Sequence, residues 1–191
     1  MGPATSHTIA KPDGSGSKNS PIFIAGDAGN FIPLLHEAAD EGRIAGENAA
    51  RVARGKPVKV GLRRAPIGVV FTDPQIGIVG GGFRSLQPGS FATGQVNFDD
   101  QSRARILLRN KGLMNVYAET ATGRFLGAEM LAPGGEHLAH LLAWALQNRM
   151  TIEQMLGMPY YHPVLEEGLR TALHDVNAKL RVGRRAGSES A

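Results

Sequence analysis

"ARILLRNKGLMNVYAETATGRFLGAEML", Ala104–Leu131, is followed after two residues by "GGEHLAHLLAWALQNRM", Gly134–Met150. The first stretch is a series of short apolar runs broken by turn residues. It predicts three strands, turning at Asn110–Lys111–Gly112 and at Thr122–Gly123. The second carries Leu138, Leu141, Leu142, Ala145 and Leu146 at helical spacing, and predicts an amphipathic helix with those side chains inward. Upstream, "APIGVVFTDPQIGIVGGG", Ala65–Gly82, predicts two more strands with Asp73–Pro74 as their turn. Strands gathered ahead of helices make an α+β unit, with an antiparallel or mixed sheet and packed helices, and not a doubly wound sheet.

Two further helices follow. "TIEQMLGM", Thr151–Met158, opens with a Thr and has Gln three residues on, the pattern of a capping box. "MPYYHPVLEEGLRTAL", Met158–Leu173, places Leu165, Leu169, Leu173 and then Val176 on one face of a helix that packs on a core. Pro163 suits the first turn of that helix, because its missing N–H would find no partner there. His162 then falls at the N-cap, a position that Ser, Thr, Asp and Asn usually hold. Glu166 and Arg170 form an i,i+4 pair on the same helix.

Ahead of the sheet lies a segment of different character. "PIFIAGDAGN" begins with the apolar run Ile22–Ala25, which reads as a buried strand ended by Gly26. "IPLLHEAADEGRIAGENAARVARGK" follows as a helix, with Pro33 suited to its start and Gly55 and Pro57 at its end. The small residues Ala38, Ala39, Gly42, Ala45 and Gly46 imply a close approach to whatever lies beneath them. The domain plan is therefore a linker or disordered start over 1–20, a strand–helix piece over 21–60, the α+β domain over 64–180 and a disordered tail over 181–191.

Composition narrows the function. The sequence has no cysteine, so it can form no disulfide and do no thiol chemistry of its own. Its net charge of +4 gathers at Arg63–Arg64 and at Arg181, Arg184 and Arg185, with no recognition module for nucleic acid. No apolar run spans a bilayer, and the N-terminus lacks a signal-peptide core, so the expectation is a cytoplasmic protein with neither nucleic-acid nor membrane partner.

Two groups of residues could carry chemistry. A strand, then Gly26–Asp27, then a helix start offers free N–H groups and the positive end of a helix dipole to an electron-rich ligand. Asp27 could accept a hydrogen bond from a ligand hydroxyl. His162 is the second candidate, since an imidazole both takes and gives a proton near neutral pH. Glu167 could reach back across the first turn to orient it. His137 and His140 share a spacing found in metal sites, but further ligands at suggestive spacing are missing, and helix packing accounts for them better. No metal is expected.

Together these stretches resemble the C-terminal part of the flavin-dependent pyridine nucleotide–disulfide oxidoreductases. "PIFIAGDAG" is similar to the second FAD motif of that family, and "LLHEAADEGRIAGENAA" to the helix after it. "YYHPVLEEGLRTAL" is similar to the His-Pro-x-x-x-Glu segment that closes the family's dimerisation domain. The similarity covers roughly residues 21–180 and lies nearest to dihydrolipoamide dehydrogenase, with glutathione reductase, mercuric reductase and soluble transhydrogenase as more distant relatives.

The resemblance implies roles. Gly26 and Asp27 would meet the ribityl or phosphate region of FAD, and the backbone at Leu34, Leu35 and His36 would face the flavin. His162 would handle the proton of a dithiol, with Glu167 holding its ring, in the active site of the partner subunit of a homodimer. Dihydrolipoamide or a related dithiol would be the substrate and NAD the electron acceptor. Val164 stands where the family usually has Thr, and Tyr160–Tyr161 replaces a more polar lead-in. Such an enzyme also needs a Gly-rich FAD fingerprint, a redox-active Cys pair and an NAD(P) domain, none of which this sequence contains. The expectation is accordingly a C-terminal part that is inactive by itself, or else a stand-alone dimerisation module.

Overall fold

The structure is a computed structural model that describes residues 22–29, 32–59 and 61–189, with side chains to residue 183. The linker expected over 1–20 lies outside the described residues. The chain divides into two compact units, Met1–Arg64 and Ala65–Ala191.

In the first unit, Gly26–Gly29 form a 3-10 turn and Leu35–Ala53 form helix α1. The strand expected at Ile22–Ala25 does not form. A strand needs a neighbour for its N–H and C=O groups, and no described segment pairs with this one. The close approach expected over the small residues of α1 is made at Ala38, against the Gly26 turn, but not at Gly42 or Gly46, where a Cβ would meet nothing within 4 Å among the described residues. The buried residues of α1 are polar instead, Glu37 and Asn48.

What covers them is the chain's own return path. After Gly55, residues 57–59 and 61–64 run back along α1. Arg51 Nε donates to the Pro57 carbonyl at 2.8 Å. The Asn48 side-chain amide both donates to the Lys59 carbonyl, at 3.0 Å, and accepts the Lys59 N–H, at 2.8 Å. Gly61 lies against the Ile44 side chain, and Arg63 pairs with Glu41 and Glu37 at 2.7 Å each. Positions 51, 48, 44, 41 and 37 step by three or four, so this strap follows one face of the helix. Arg64 pairs with Asp40.

The second unit is a five-stranded sheet in the order β1-β2-β5-β4-β3, every neighbouring pair antiparallel. Its strands are β1 (Ile67–Val70), β2 (Gln75–Val79), β3 (Phe91–Asn97), β4 (Leu113–Glu119) and β5 (Phe125–Ala132). The turns at Asp73–Pro74 and Thr122–Gly123 fall where the sequence puts them, whereas Asn110–Gly112 lead from a helix into β4 and do not join two strands. The third strand does not form as expected. Ser102–Ile106 form a short helix, α2, because the Gln101 side chain accepts the Ala104 N–H at 2.7 Å and caps it. The missing strand is β3, which lies upstream.

Helices α3 (Gly135–Gln147), α4 (Ile152–Leu156) and α5 (Glu166–Glu189) complete the unit. On the covered face of the sheet, Val116 pairs with Gly94 and Ala128, and Met114 pairs with Val96 and Met130. α3 packs over β2 and β5, while α5 packs over β3 and β4. Their inward residues, Leu138 and Leu142 from α3 and Leu169, Leu173 and Val176 from α5, close one hydrophobic core. Thr151 and Gln154 form both halves of the predicted capping box.

Two details of the helices depart from the sequence reading. Leu141 is 44% exposed, because the inward stripe of α3 is narrower than its apolar residues. The tail expected to be disordered from residue 181 continues α5 to Glu189. Arg, Ala and Glu are good helix formers, and no proline interrupts them.

Candidate functional site

His162 and Glu167 come together at the mouth of α5. His162 Nδ1 lies 2.8 Å from Glu167 Oε1. The other carboxylate oxygen, Oε2, accepts the Val164 N–H at 3.1 Å. Each oxygen therefore has its own partner, so the carboxylate is fixed in rotation as well as in position. The His162 side chain is 73% exposed and Glu167 28%. The ring is held on one nitrogen and open on the other.

The local chain explains the arrangement, and it corrects one expectation. His162 is not the N-cap, nor does Pro163 open the helix: the His162–Pro163 peptide is cis, and α5 begins at Glu166. The bond from Val164 N–H to a Glu three residues on is the reach-back half of a capping box, so the cap region sits at Val164–Leu165. Glu167 thus serves the helix and the histidine with the same side chain. The hydrogen bond from His162, then that from the Val164 amide, hold the Glu167 carboxyl below its ordinary range, aided by the nearby Arg170 charge.

Arg170 does not pair with Glu166. Its guanidinium stands 5.6 Å from the centre of the Tyr160 ring, and Tyr160 donates to the Met155 carbonyl at 3.2 Å. The aromatic lead-in to the histidine is in this way tied to both α4 and α5. Beside it runs an apolar groove lined by Leu141, Trp144, Met158 and Tyr161. Those four side chains are 44%, 68%, 49% and 79% exposed, a concentration of apolar surface that the sequence reading did not anticipate.

The other candidates lie in the first unit. Gly26 is buried with φ +72°, and a Cβ there would stand 3.1 Å from Ala38 Cβ, so the turn suits glycine on both counts. Asp27 follows it and is exposed. Leu34 is the N-cap residue of α1 in an extended conformation, and no side chain caps the helix there. Leu35 is 88% exposed, and the His36 side chain is half-exposed, with Nε2 4.0 Å from Glu37 Oε1. The first amides of α1 consequently keep no intrahelical acceptor and, among the described residues, no capping oxygen.

His137 and His140 are both exposed; His140 Nδ1 lies 2.8 Å from the Glu136 carbonyl one turn earlier. Among the described residues no three His, Asp or Glu side chains gather as a metal site, and no helix is long and apolar enough to cross a membrane.

Comparison with known proteins decides the family. The model of the pyridine nucleotide-disulphide oxidoreductase dimerisation domain matches residues 67–173, more than half of the chain. The chain belongs to this family. Its dimerisation domain begins with β1 and ends inside α5, so His162 and Glu167 lie within it. The chain is 32% identical to the dihydrolipoyl dehydrogenase of Haloferax volcanii over 154 residues, which are 79% of this chain and 31% of that protein. It is 31% identical to the mercuric reductase of Acidithiobacillus ferrooxidans over 157 residues, 81% of this chain and 28% of that one. Among solved structures, LpdA from Mycobacterium tuberculosis superposes with a TM-score of 0.66 at 28% identity, over 78% of this chain and 32% of LpdA. The HOCl-induced flavoprotein disulfide reductase RclA from Escherichia coli, 18% identical with a TM-score of 0.65 over 81% of this chain and 34% of RclA, shares the fold. The chain spans about a third of the length of these relatives.

Proposed function

We propose that this chain supplies the subunit interface and the acid–base pair of a flavin-dependent dithiol–disulfide oxidoreductase of the dihydrolipoamide dehydrogenase type. The observation that carries the reading is the exposed His162 ring, gripped on Nδ1 by Glu167 at 2.8 Å and free at Nε2. In dithiol oxidation two sulfurs give up two electrons and two protons as the S–S bond forms. NAD accepts the electrons with one of those protons as hydride, and the other is released. Nε2 of His162 takes a thiol proton, and Glu167 stabilises the imidazolium and keeps the ring turned outward, as the third member of a triad does.

FAD fits the first unit. Asp27 is exposed beside the buried Gly26 turn, and the uncapped start of α1 at Leu34, Leu35 and His36 offers backbone N–H groups to an electron-rich edge. Bound there, FAD would relay the electron pair between dithiol and nicotinamide. No described residue is assigned to NAD. The redox-active thiols must come from outside this sequence, which has no cysteine. The chain works as a homodimer, with His162 facing an active site that the partner subunit completes.

A chimera tests this directly. Residues 64–180 replace the matching segment of the Haloferax volcanii dihydrolipoyl dehydrogenase. The chimera is expected to oxidise dihydrolipoamide with NAD, and His162→Gln in it to lower kcat by about 10²-fold or more at unchanged flavin content. A folded, flavin-loaded dimeric chimera without turnover would overturn the proposal.

A further inference from the structure

The turn that carries Asp27 is held by a carboxylate from the middle of α1. Glu41 Oε2 accepts the Gly26 N–H at 2.8 Å, while its Oε1 takes Arg63 Nη1 at 2.7 Å. Arg63 Nη2 goes to Glu37 Oε2, also at 2.7 Å. A Cβ placed on Gly29 would have Glu41 Oε2 as its nearest neighbour, at 3.9 Å, so Glu41 bonds to one end of the turn and lies near the other. The side chains of Glu37, Glu41 and Arg63 are 5%, 12% and 20% exposed. One guanidinium serves both of these deep carboxylates and offsets much of the cost of burying them.

We infer that Glu41, braced by Arg63, is a positioning residue for the flavin-binding turn: it sets the Gly26 peptide so that Asp27 projects outward. The inference rests on the flavin reading above and adds residues that reading does not use. Core packing alone is a poor account of the cluster. It places three charged groups where apolar side chains would close the same space, and one of its bonds reaches outside the charged triad to the backbone at Gly26. Arg63 belongs to the strap that leads into the dimerisation domain, four residues before β1 begins. The brace thus joins three segments, the turn, the helix and the connector, through a single carboxylate.

Amide hydrogen exchange on the whole chain, with FAD titration by flavin fluorescence alongside, provides the test. Glu41→Ala is expected to speed exchange at Gly26 by about tenfold or more, with amides in the middle of α1 and in the dimerisation domain unchanged. Glu41→Gln keeps an acceptor oxygen for Gly26 and is expected to restore most of the protection. Glu37→Ala, which leaves the Gly26 bond in place, should change Gly26 least. FAD affinity should fall in the same order as protection is lost. Unchanged Gly26 exchange in Glu41→Ala would overturn the inference, as would an equal loss of protection along all of α1. Should the wild-type chain take up no FAD, the flavin reading fails for this chain, and the exchange result still decides whether Glu41 sets the turn.

Discussion

Glu167 gives one oxygen to His162 Nδ1 at 2.8 Å and the other to the Val164 N–H at 3.1 Å, so one carboxylate orders both the ring and the start of α5. Its two partners favour the ionised form, which is why its carboxyl titrates below the ordinary value of 4.5. A depressed folded-state value means that the stabilisation is complete above the unfolded value. It is lost as pH falls through the folded one. Glu167→Gln removes that titration. Urea midpoints of wild type and variant are expected to differ most near neutral pH and to converge as pH drops below about 4.5. A gap that stays constant down to about pH 3 would show that the carboxylate carries no such linkage.

A second prediction concerns the seat of α5. A Cβ on Gly94 would stand 2.2 Å from the Ala172 carbonyl oxygen and 2.7 Å from Val176, so β3 and α5 touch through backbone at this point. Gly94→Ala is expected to cost about 1–3 kcal/mol, and Gly94→Val more, because the backbone of a helix and that of a strand paired along its whole length to β4 have little room to give. Gly183, on the same helix, has nothing within 4 Å of its would-be Cβ. There Gly→Ala is expected to be neutral or to stabilise by up to about 1 kcal/mol. Urea denaturation reads both, with shifted midpoints at constant slope. Equal effects at the two sites would contradict the packing described.

How much of this was legible in the sequence depends on the kind of signal. Periodicity and turn chemistry gave β1, β2, β4 and β5, α3, and the Thr151–Gln154 capping box, since these elements express local preferences. β3 was hidden because Gly94, the residue that lets α5 approach, breaks the strand pattern of "FATGQVN". Ala104–Leu108 passed for a strand because its apolar run is too short to reveal a period, and the deciding cap, Gln101, is not a usual capping residue. Ile22–Ala25 has strand composition, yet among the described residues it has no neighbour to pair with. Composition alone cannot provide one.

The site divides along the same line. The five-residue spacing from His162 to Glu167 was readable because the two meet within one turn. The place of the helix start was not, since the proline pointed to one register and the Glu167 reach-back set another. The strap over α1 was not legible either. Its contacts fall at Arg51, Asn48, Ile44, Glu41 and Glu37, a mostly polar face that a search for apolar stripes passes over. The exposed groove escaped notice because Leu141 and Trp144 share a helix with core residues, and only packing shows which apolar side chains are left outside.

The last prediction uses the single tryptophan of the chain, Trp144, which is 68% exposed in the protomer. It lines the same groove as Leu141, Met158 and Tyr161. Apolar surface gathered in this way on a domain whose family model describes dimerisation should be covered by a second copy. Tryptophan emission shifts to the blue when water leaves the indole. A dilution series is therefore expected to show a concentration-dependent blue shift that tracks the dimer fraction measured by sedimentation. Leu141→Glu puts a charge into the groove and should weaken dimerisation by about tenfold or more while leaving the protomer folded, because Leu141 is already 44% exposed there. A dimer whose emission does not change on dilution into monomer would place the interface elsewhere on the domain, and a monomer at high concentration would remove the homodimer from the proposed function.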